Sequence, residues 1–472
     1  MPSALRTCVY GLILKNDFLH GKILPSLIRF ALPLMLSLLL QSLYGAADLI
    51  VVGQFCSTAS ISAVATGSQL MVAVTALITG LTMGVTVLVG QATGAGEGER
   101  AGNVVCGMIK LFAVVAVALT AVLTALAGPL AMLIRAPEEA LPQTEAYIRI
   151  CGAGMIFITA YNAVSGIFRG IGNSVTPFLF VAVACVLNIA LDLLFVAAFG
   201  MDASGAALAT VIAQASSVAF SLCYLKIKKL PFPVRRSGFS VKGSVRGIVA
   251  VGAPVALQDF LVSVSFLIIT AIVNTLGLDQ SASIGIAEKL FVFLSIVPMS
   301  FLSAISAFVA QNVGGGRYDR AKKALIRAAC VSFCFGAAMF LFTFFGGRLA
   351  ARIFTADEKV ITLTAQYFKS CSFEYLIIAV SFCMLGYFNG LKKTVFVMIQ
   401  GLFTAFAVRI PLSCVFSSLP DTSMTLIGIA VPASAAVSLI MCLVYFAITQ
   451  KKTAALLKAD TEGVTQDKRS DT

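Results

Sequence analysis

The stretch from residue 175 to residue 199, VTPFLFVAVACVLNIALDLLFVAAF, decides the fold of this chain. It contains one charged side chain, Asp192. At about 1.5 Å of rise per residue, a helix of this length crosses a bilayer core roughly 30 Å thick. Similar apolar runs recur along the sequence, so that 59% of the 472 residues are hydrophobic and only 12% are charged. A soluble domain carries about 25% charged residues. The sequence therefore predicts an all-α polytopic membrane protein and excludes an ordinary soluble enzyme.

Apolar runs bounded by glycine, proline or charged residues predict twelve membrane spans, numbered here in chain order. They cover residues 24–51, 61–90, 103–127, 147–169, 175–199, 204–225, 246–275, 281–311, 324–346, 366–390, 394–418 and 425–449. Most of the cysteines fall inside these runs, where they act as small apolar side chains rather than as a disulfide framework.

The loops between the spans alternate in charge. One set is basic and comprises 97–100, Arg169, 226–246, 317–323, 392–393 and 451–452, whereas the opposite set carries Glu138, Glu139, Asp202, Asp279, Asp357 and Asp421. Basic loops stay on the cytoplasmic side, so we expect a multi-pass protein of the cell inner membrane with both termini cytoplasmic. The formal net charge of +13 then reflects membrane topology and not binding to nucleic acid.

The two halves of the sequence repeat one another at a constant offset of 220 residues. The matching pairs include Gln91 with Gln311, Tyr147 with Tyr367 and Cys151 with Cys371. The repeat divides the chain into an N-terminal cytoplasmic or interfacial segment (1–23), a first lobe (24–225), a cytoplasmic linker (226–245), a second lobe (246–449) and a cytoplasmic tail (450–472). Each lobe holds six predicted spans, so the two pseudo-symmetric copies insert in the same orientation.

Two facing lobes of six helices are typical of a secondary transporter that alternates access to a cavity near the membrane midplane. The sequence contains no GxxxxGK[ST] phosphate loop, so ATP is not the expected energy source. We expect a monomer in the lipid bilayer without a cofactor, driven by H⁺ or Na⁺ as the coupling ion.

Polar side chains gather at one depth in the first lobe. A charge deep in a span costs about 2.5 to 3.5 kcal/mol on insertion scales, which indicates a function. Asp48 lies near the outer end of span 1, Asp192 lies in the outer half of span 5 with Asn188 one turn below it, and Thr210 enters span 6 from the same side. Their oxygens suit Na⁺, and two carboxylates close together in a low dielectric also favour proton uptake, so these four residues are interpreted as a cation site.

Two further residues are placed to complete a cation or substrate network: Tyr44, one turn from Asp48, and Asn162 in span 4. The second lobe has apolar residues at the positions equivalent to Asp48, Asn188 and Asp192, namely Ile268, Val408 and Leu412. The cation site is therefore expected in the first lobe alone. The alternative interpretation is that these polar residues only join neighbouring helices.

The second lobe carries its own charged residues within spans: Asp259, Glu288, Glu374 and Arg409. An arginine inside a span requires an acidic partner, and either Glu374 or Glu288 could pair with Arg409 in a structural ion pair. A role of the same residues in binding substrate is the second interpretation, and the sequence leaves both open.

Proline and glycine mark two further features. Pro33 removes a backbone hydrogen bond about four turns before Asp48, which predicts a hinge in span 1 that is coupled to cation binding. The equivalent segments Gln91-Ala-Thr-Gly94 and Gln311-Asn-Val-Gly314, with the glycines that follow them, are interpreted as helix caps and turns.

Together these motifs resemble the multidrug and toxic compound extrusion (MATE) family of transporters. The resemblance covers roughly residues 20 to 450. It is carried by Pro33 fifteen residues before Asp48, by the two Gln-x-x-Gly turns, and by the segment FRGIGNSVTP at 168–177 followed by Asn188 and Asp192.

The resemblance implies twelve helices in two lobes and export of organic cations or other amphipathic small molecules by antiport with H⁺ or Na⁺. It is closest to the DinF-like branch, whose cation site matches Asp48, Asn188, Asp192 and Thr210, with Tyr44 and Asn162 adjacent. Another branch keeps a glutamate in span 7, where this chain offers Gln258 and Asp259 at a different spacing.

Two other classes of protein compete with this interpretation. A flippase for lipid-linked oligosaccharides, from the same wider superfamily, usually has more spans and a strongly basic cavity, whereas the charges within these spans are mostly acidic. An intramembrane enzyme needs a nucleophile with a base, or paired metal ligands, and the only histidine, His20, precedes the spans. We therefore predict a transporter and not an enzyme.

Overall fold

The computed structural model describes residues 17–234, 240–420 and 423–470. Residues 1–16 of the predicted N-terminal segment, residues 235–239 of the linker, Asp421 and the last two residues lie outside this part. Within it the regular structure is entirely helical, and eleven helices are long and apolar enough to cross a membrane. A bent pair, Glu138–Ala153 and Met155–Gly170, meets at 47° and supplies a twelfth span. The predicted all-α membrane fold is confirmed.

The helices that form the spans have the following bounds. In the first lobe they are Ile23–Phe55, Thr58–Gly94, Gly98–Ala125, Leu141–Ala153 with Met155–Gly170, Val175–Asp192 with a π-helical continuation Leu193–Ala198, and Asp202–Ile227. In the second lobe they are Ser240–Asn274, Leu278–Gly314, Tyr318–Arg352, Glu358–Cys371 with Phe373–Gly390, Thr394–Leu402 with π-helical Phe403–Arg409 and Ile410–Ser417, and Met424–Ser470. Short helices at Ala127–Leu133 and Glu138–Ala140 connect spans 3 and 4.

Most helices extend beyond the predicted apolar runs. Span 9 was predicted at 324–346 and forms Tyr318–Arg352, because its charged ends continue the helix where the polar headgroups begin. The last helix continues beyond residue 450 into the predicted tail, since the sequence KKTAALLKAD at 451–460 has no glycine or proline to end it.

The first helix of each lobe packs against the other lobe. The first half of span 1, from Ile23 to Leu34, shares an apolar core with span 8 residues Phe301, Ile305 and Phe308. In the same manner Gly80 of span 2 lies so close to Ala256 of span 7 that a side chain at the glycine would overlap it. Spans 1 and 7 both begin at the end of the bundle that carries the basic loops, here called the basic end. The two lobes are therefore joined near the basic end.

Two glutamines link the lobes at the basic end. Gln91 Nε2 donates to the Gly390 carbonyl oxygen at 3.0 Å, and Gln311 Nε2 donates to the Gly170 carbonyl oxygen at 2.7 Å. Gly94 lies directly against the Gln311 carbonyl, and a methyl group there would overlap its oxygen. We call this reciprocal contact the glutamine latch.

The interpretation of these two segments as turns therefore covers only part of their role. Gly96 and Gly316 do make the turns, with φ of 74° and 71°. The glutamines and the glycines three residues after them instead form the contact between the lobes.

The described part of the predicted N-terminal segment also lies at the basic end. The ring of Phe18 packs between Phe30 and Phe308, and the Arg320 guanidinium donates to the carbonyl oxygens of Phe18 and Gly21. Since Phe308 and Arg320 belong to spans 8 and 9, this segment is held by the second lobe.

Candidate functional site

The structure brings Asp48, Asn188, Asp192 and Thr210 together in the first lobe, and we call them the carboxylate cluster. Thr210 Oγ1 donates to Asp48 Oδ2 at 3.4 Å and accepts from Asn188 Nδ2 at 3.5 Å. The Asp192 carboxyl group faces that of Asp48. Asp48, Asn188 and Asp192 are only 5%, 2% and 0% exposed. The cluster is thus a buried polar site between spans 1, 5 and 6.

Helical geometry positions the cluster. Asn188 and Asp192 are four residues apart and therefore lie one above the other on the same face of span 5. Immediately after Asp192 the helix widens into a π-helical segment, Leu193–Ala198. Such segments interrupt regular helices most often at functional sites.

The cluster has more acceptor atoms than donors. Four of its oxygens are buried without any hydrogen-bond partner: Asp48 Oδ1, Asn188 Oδ1 and both carboxylate oxygens of Asp192. Within the described part of the chain, no lysine or arginine forms an ion pair with either carboxylate. Two buried acids without a counter-charge are strongly unfavourable, so the arrangement can take up a proton or a small cation.

The two residues predicted to extend the network are not hydrogen-bonded to Asp48. Asn162 Nδ2 donates at 2.9 Å to the carbonyl oxygen of Ile158, one turn earlier in its own helix. Tyr44 is half-buried on span 1 and interacts with Gln214 of span 6. Both residues are therefore neighbours rather than members of the cluster in this conformation.

In the second lobe, Arg409 lies against Glu374 and not against Glu288. Its Nη2 donates to Glu374 Oε1 at 3.2 Å, its Nε donates to Ser434 Oγ at 2.9 Å, and its guanidinium carbon lies 5.0 Å from the centre of the Phe266 ring. Glu288 instead accepts a hydrogen bond of 3.1 Å from Thr270. The pair that the sequence could not assign is thus Arg409 with Glu374.

Gln258 and Asp259 lie apart from that ion pair. Gln258 packs against Gly401 of span 11, and its Oε1 is buried without a partner. Asp259 is partly exposed on span 7. Neither side chain forms a hydrogen bond or an ion pair with Glu374 or Arg409 in the described structure, so the span 7 position of the other branch has no equivalent contact here.

Sequence reasoning missed Thr270, Ser434, Phe266 and the glutamine latch. The first three carry no charge and resemble the many polar and aromatic residues elsewhere in the spans. A signal for the latch was present, since an uncharged glutamine recurs at equivalent positions of both lobes with a glycine three residues later.

We expect Arg409→Ala to lower the free energy of unfolding by about 3 to 5 kcal/mol, because it leaves a buried carboxylate unpaired. Adding Glu374→Gln should restore much of the loss, whereas adding Glu288→Gln should not. Thermal unfolding of the purified variants in detergent measures both effects. Rescue by Glu288→Gln alone would show that the functional pair is the other one.

Two lobes of six spans with a buried acidic cluster in one of them define a membrane transporter and not an enzyme. A protein-family model described as MatE matches residues 33–194 and again residues 254–415. The chain belongs to this family. The same model matches both halves, as expected for an internal repeat.

Related proteins cover nearly the whole chain. It is 26% identical over 403 residues to the probable multidrug resistance protein YpnP of Bacillus subtilis, covering 85% of this chain and 90% of that protein. It is 27% identical over 402 residues to the probable multidrug resistance protein NorM of Thermotoga maritima, covering 84% and 86%. Among solved structures, the outward-facing conformation of a multidrug resistance MATE family transporter superposes with a TM-score of 0.85 at 21% identity, covering 94% of this chain and 99% of that one.

Proposed function

We propose that this protein exports amphipathic organic compounds, chiefly organic cations, in exchange for H⁺ or Na⁺ that enters through the carboxylate cluster. The observation that carries the proposal is the set of four buried, unpartnered oxygens contributed by Asp48, Asn188 and Asp192. Carboxylate, amide and hydroxyl oxygens are ligands of Na⁺-like hard cations, and facing carboxylates also share a proton. The names of the relatives support multidrug compounds as the cargo.

The contacts between the lobes support alternating access as the mechanism. The lobes meet through the glutamine latch and the first halves of spans 1 and 7, all near the basic end. We assign the basic end to the cytoplasm on the positive-inside rule, with the protein as a monomer in the cell membrane. This conformation is then closed toward the cytoplasm, and export requires a second state in which the latch opens.

Binding of the cation and of the drug would be coupled by competition. A cation or proton at the cluster neutralises the carboxylates, while a cationic drug is favoured when they are charged. Entry of the coupling ion from outside then promotes release of the drug on that side. No observation favours the lipid-linked oligosaccharide flippase, the alternative that the sequence leaves.

The test uses purified protein in liposomes with a fluorescent organic cation as the probe. A pH gradient and a Na⁺ gradient are imposed separately, with the membrane potential clamped. We expect one of the two gradients to drive accumulation of the probe in protein-containing liposomes. Equal probe movement with and without either gradient would overturn the proposal of antiport.

Pro33 lies where span 1 changes its packing partner. The helix continues unbroken through Pro33, but residues up to Leu34 pack on the second lobe, whereas the Leu40 carbonyl oxygen contacts Cys185 Sγ of span 5 in the first lobe at 3.8 Å. A missing backbone hydrogen bond at this boundary lets the two halves move with different lobes.

We therefore expect Pro33→Ala to weaken transport more than it weakens cation binding, because the helix becomes stiffer at the boundary while the carboxylate cluster is unchanged. Liposome transport and equilibrium cation binding, measured on the same preparation, give the two effects. Pro432→Ala is the matched control, since span 12 packs within the second lobe. An equal loss of transport in both variants would contradict a hinge at Pro33.

A further inference from the structure

We infer that the Arg409 side chain is a tethered cation that replaces the exchangeable cation in the second lobe, so that each chain couples transport to one ion site. The inference rests on the proposed function of the carboxylate cluster in the first lobe. It assigns Arg409 the role of a positioning residue that fixes the number of coupling ions.

The internal repeat places the ion pair opposite the carboxylate cluster. At the offset of 220 residues, Arg409 corresponds to Ile189, the neighbour of Asn188 on span 5. Ser434 corresponds to Gln214, one turn after Thr210 on span 6. The second lobe thus uses the same two helices of its repeat, spans 11 and 12, to hold a positive charge where the first lobe holds the ligands of one. The acid comes from span 10 instead of from the first helix of the lobe.

The guanidinium is held from three helices. Glu374 of span 10 accepts from Nη2 at 3.2 Å, Ser434 of span 12 accepts from Nε at 2.9 Å, and the Phe266 ring of span 7 lies beneath the guanidinium carbon. The side chains of Arg409 and Glu374 are 13% and 5% exposed. A guanidinium stays charged even in such surroundings, so it compensates the carboxylate permanently.

The two lobes differ in which oxygens remain unsatisfied. The carboxylate cluster has four buried oxygens without a partner, whereas the described structure has no buried side-chain atom of Glu374 or Arg409 without one. The first lobe therefore has a site for a mobile cation, and the equivalent region of the second lobe is already neutralised by its own side chain.

The remaining ionisable groups near Glu374 do not provide another counter-charge. Tyr367, Cys371 and Tyr375 lie close to it on span 10, and Glu288 faces this region from span 8. Glu288 is partly exposed and accepts a hydrogen bond from Thr270. Arg409 is therefore the group that keeps Glu374 ionised without an ion from solution.

The experiment counts protons bound by Glu374 in two backgrounds. Purified protein in nanodiscs is titrated potentiometrically between weakly alkaline and weakly acidic pH, and Na⁺ binding is measured at fixed pH. The wild type and Glu374→Gln should bind the same number of cations, because the paired Glu374 binds none. Arg409→Met should bind one cation more than Arg409→Met/Glu374→Gln, because the freed carboxylate becomes a second site. Arg409→Lys retains the charge and should behave as the wild type.

Two results would overturn the inference: one more cation on the wild type than on Glu374→Gln, or no additional cation on Arg409→Met. If Arg409→Met fails to fold, the comparisons of the wild type with Glu374→Gln and with Arg409→Lys still decide the question. Asp48→Asn/Asp192→Asn is titrated in parallel. Loss of no cation in that variant would contradict the proposed function of the first lobe, independently of the result at Glu374.

Discussion

Replacing Asp48 or Asp192 by asparagine is expected to abolish drug export while leaving a folded protein in the membrane. Each substitution removes the charge that binds the coupling cation but keeps a side chain of the same size and hydrogen-bonding capacity. The folded state should not suffer, since both carboxylates are buried without a basic partner and their charge is unfavourable without the cation. Drug resistance conferred on a susceptible host should fall to the level of the empty vector.

The controls separate loss of coupling from loss of folding. Membrane abundance and thermal unfolding of both variants should match the wild type. Asn162→Ala is the matched polar control, because its side chain bonds only to the backbone of its own helix, and it should retain most of the resistance. Full resistance in either aspartate variant would show that the carboxylate cluster does not carry the coupling ion.

Gly94→Ala is expected to hold the basic end of the molecule open. The added methyl group would overlap the Gln311 carbonyl oxygen, and backbone on both sides of the contact leaves no room to relax. The closed conformation should therefore lose most of its population, and transport should fall because the cycle cannot pass through it. Spin-label distances between spans 3 and 9 at the basic end should lengthen to those of the open state.

Gly243→Ala provides the comparison for this prediction. Gly243 also lies in a helix near the basic end, but a methyl group there meets no atom within 4 Å. Its distances and transport should match the wild type. If Gly94→Ala shows the wild-type distances, the glutamine latch is not a tight contact in the membrane.

The positions of the spans could be predicted because the bilayer imposes a minimum apolar length. Span 5 was predicted at 175–199 and forms a continuous helix over Val175–Ala198. The helix ends were less predictable, since water and headgroups permit helix to continue through charged residues, as in span 9. The bend in span 4 is hidden in the sequence because it lies at Gly154, where close packing against Val211 of span 6 requires a residue without a side chain.

The carboxylate cluster was accessible to sequence reasoning for a related cause. Alternating span direction fixes the depth of each polar residue, and helical periodicity places Asn188 and Asp192 on one face. Depth does not fix rotation about the helix axis or the choice of rotamer. It therefore could not show that Asn162 bonds within its own helix or that Arg409 selects Glu374 over Glu288.

Contacts between the lobes were the least predictable part. The glutamine latch depends on how two rigid lobes sit relative to one another in one state of a transport cycle. A repeat in the sequence shows that each lobe has the motif, but both glutamines donate to the opposite lobe, and nothing within one repeat specifies that partner.

The claim that the first lobe holds the coupling cation is tested most directly by equilibrium binding to the purified transporter. Proton uptake on acidification and Na⁺ binding at fixed pH are measured for the wild type and for Asp48→Asn/Asp192→Asn in nanodiscs. The account predicts that the wild type binds one more proton or one more Na⁺ than the double variant. Identical uptake of both ions by the two proteins would contradict it.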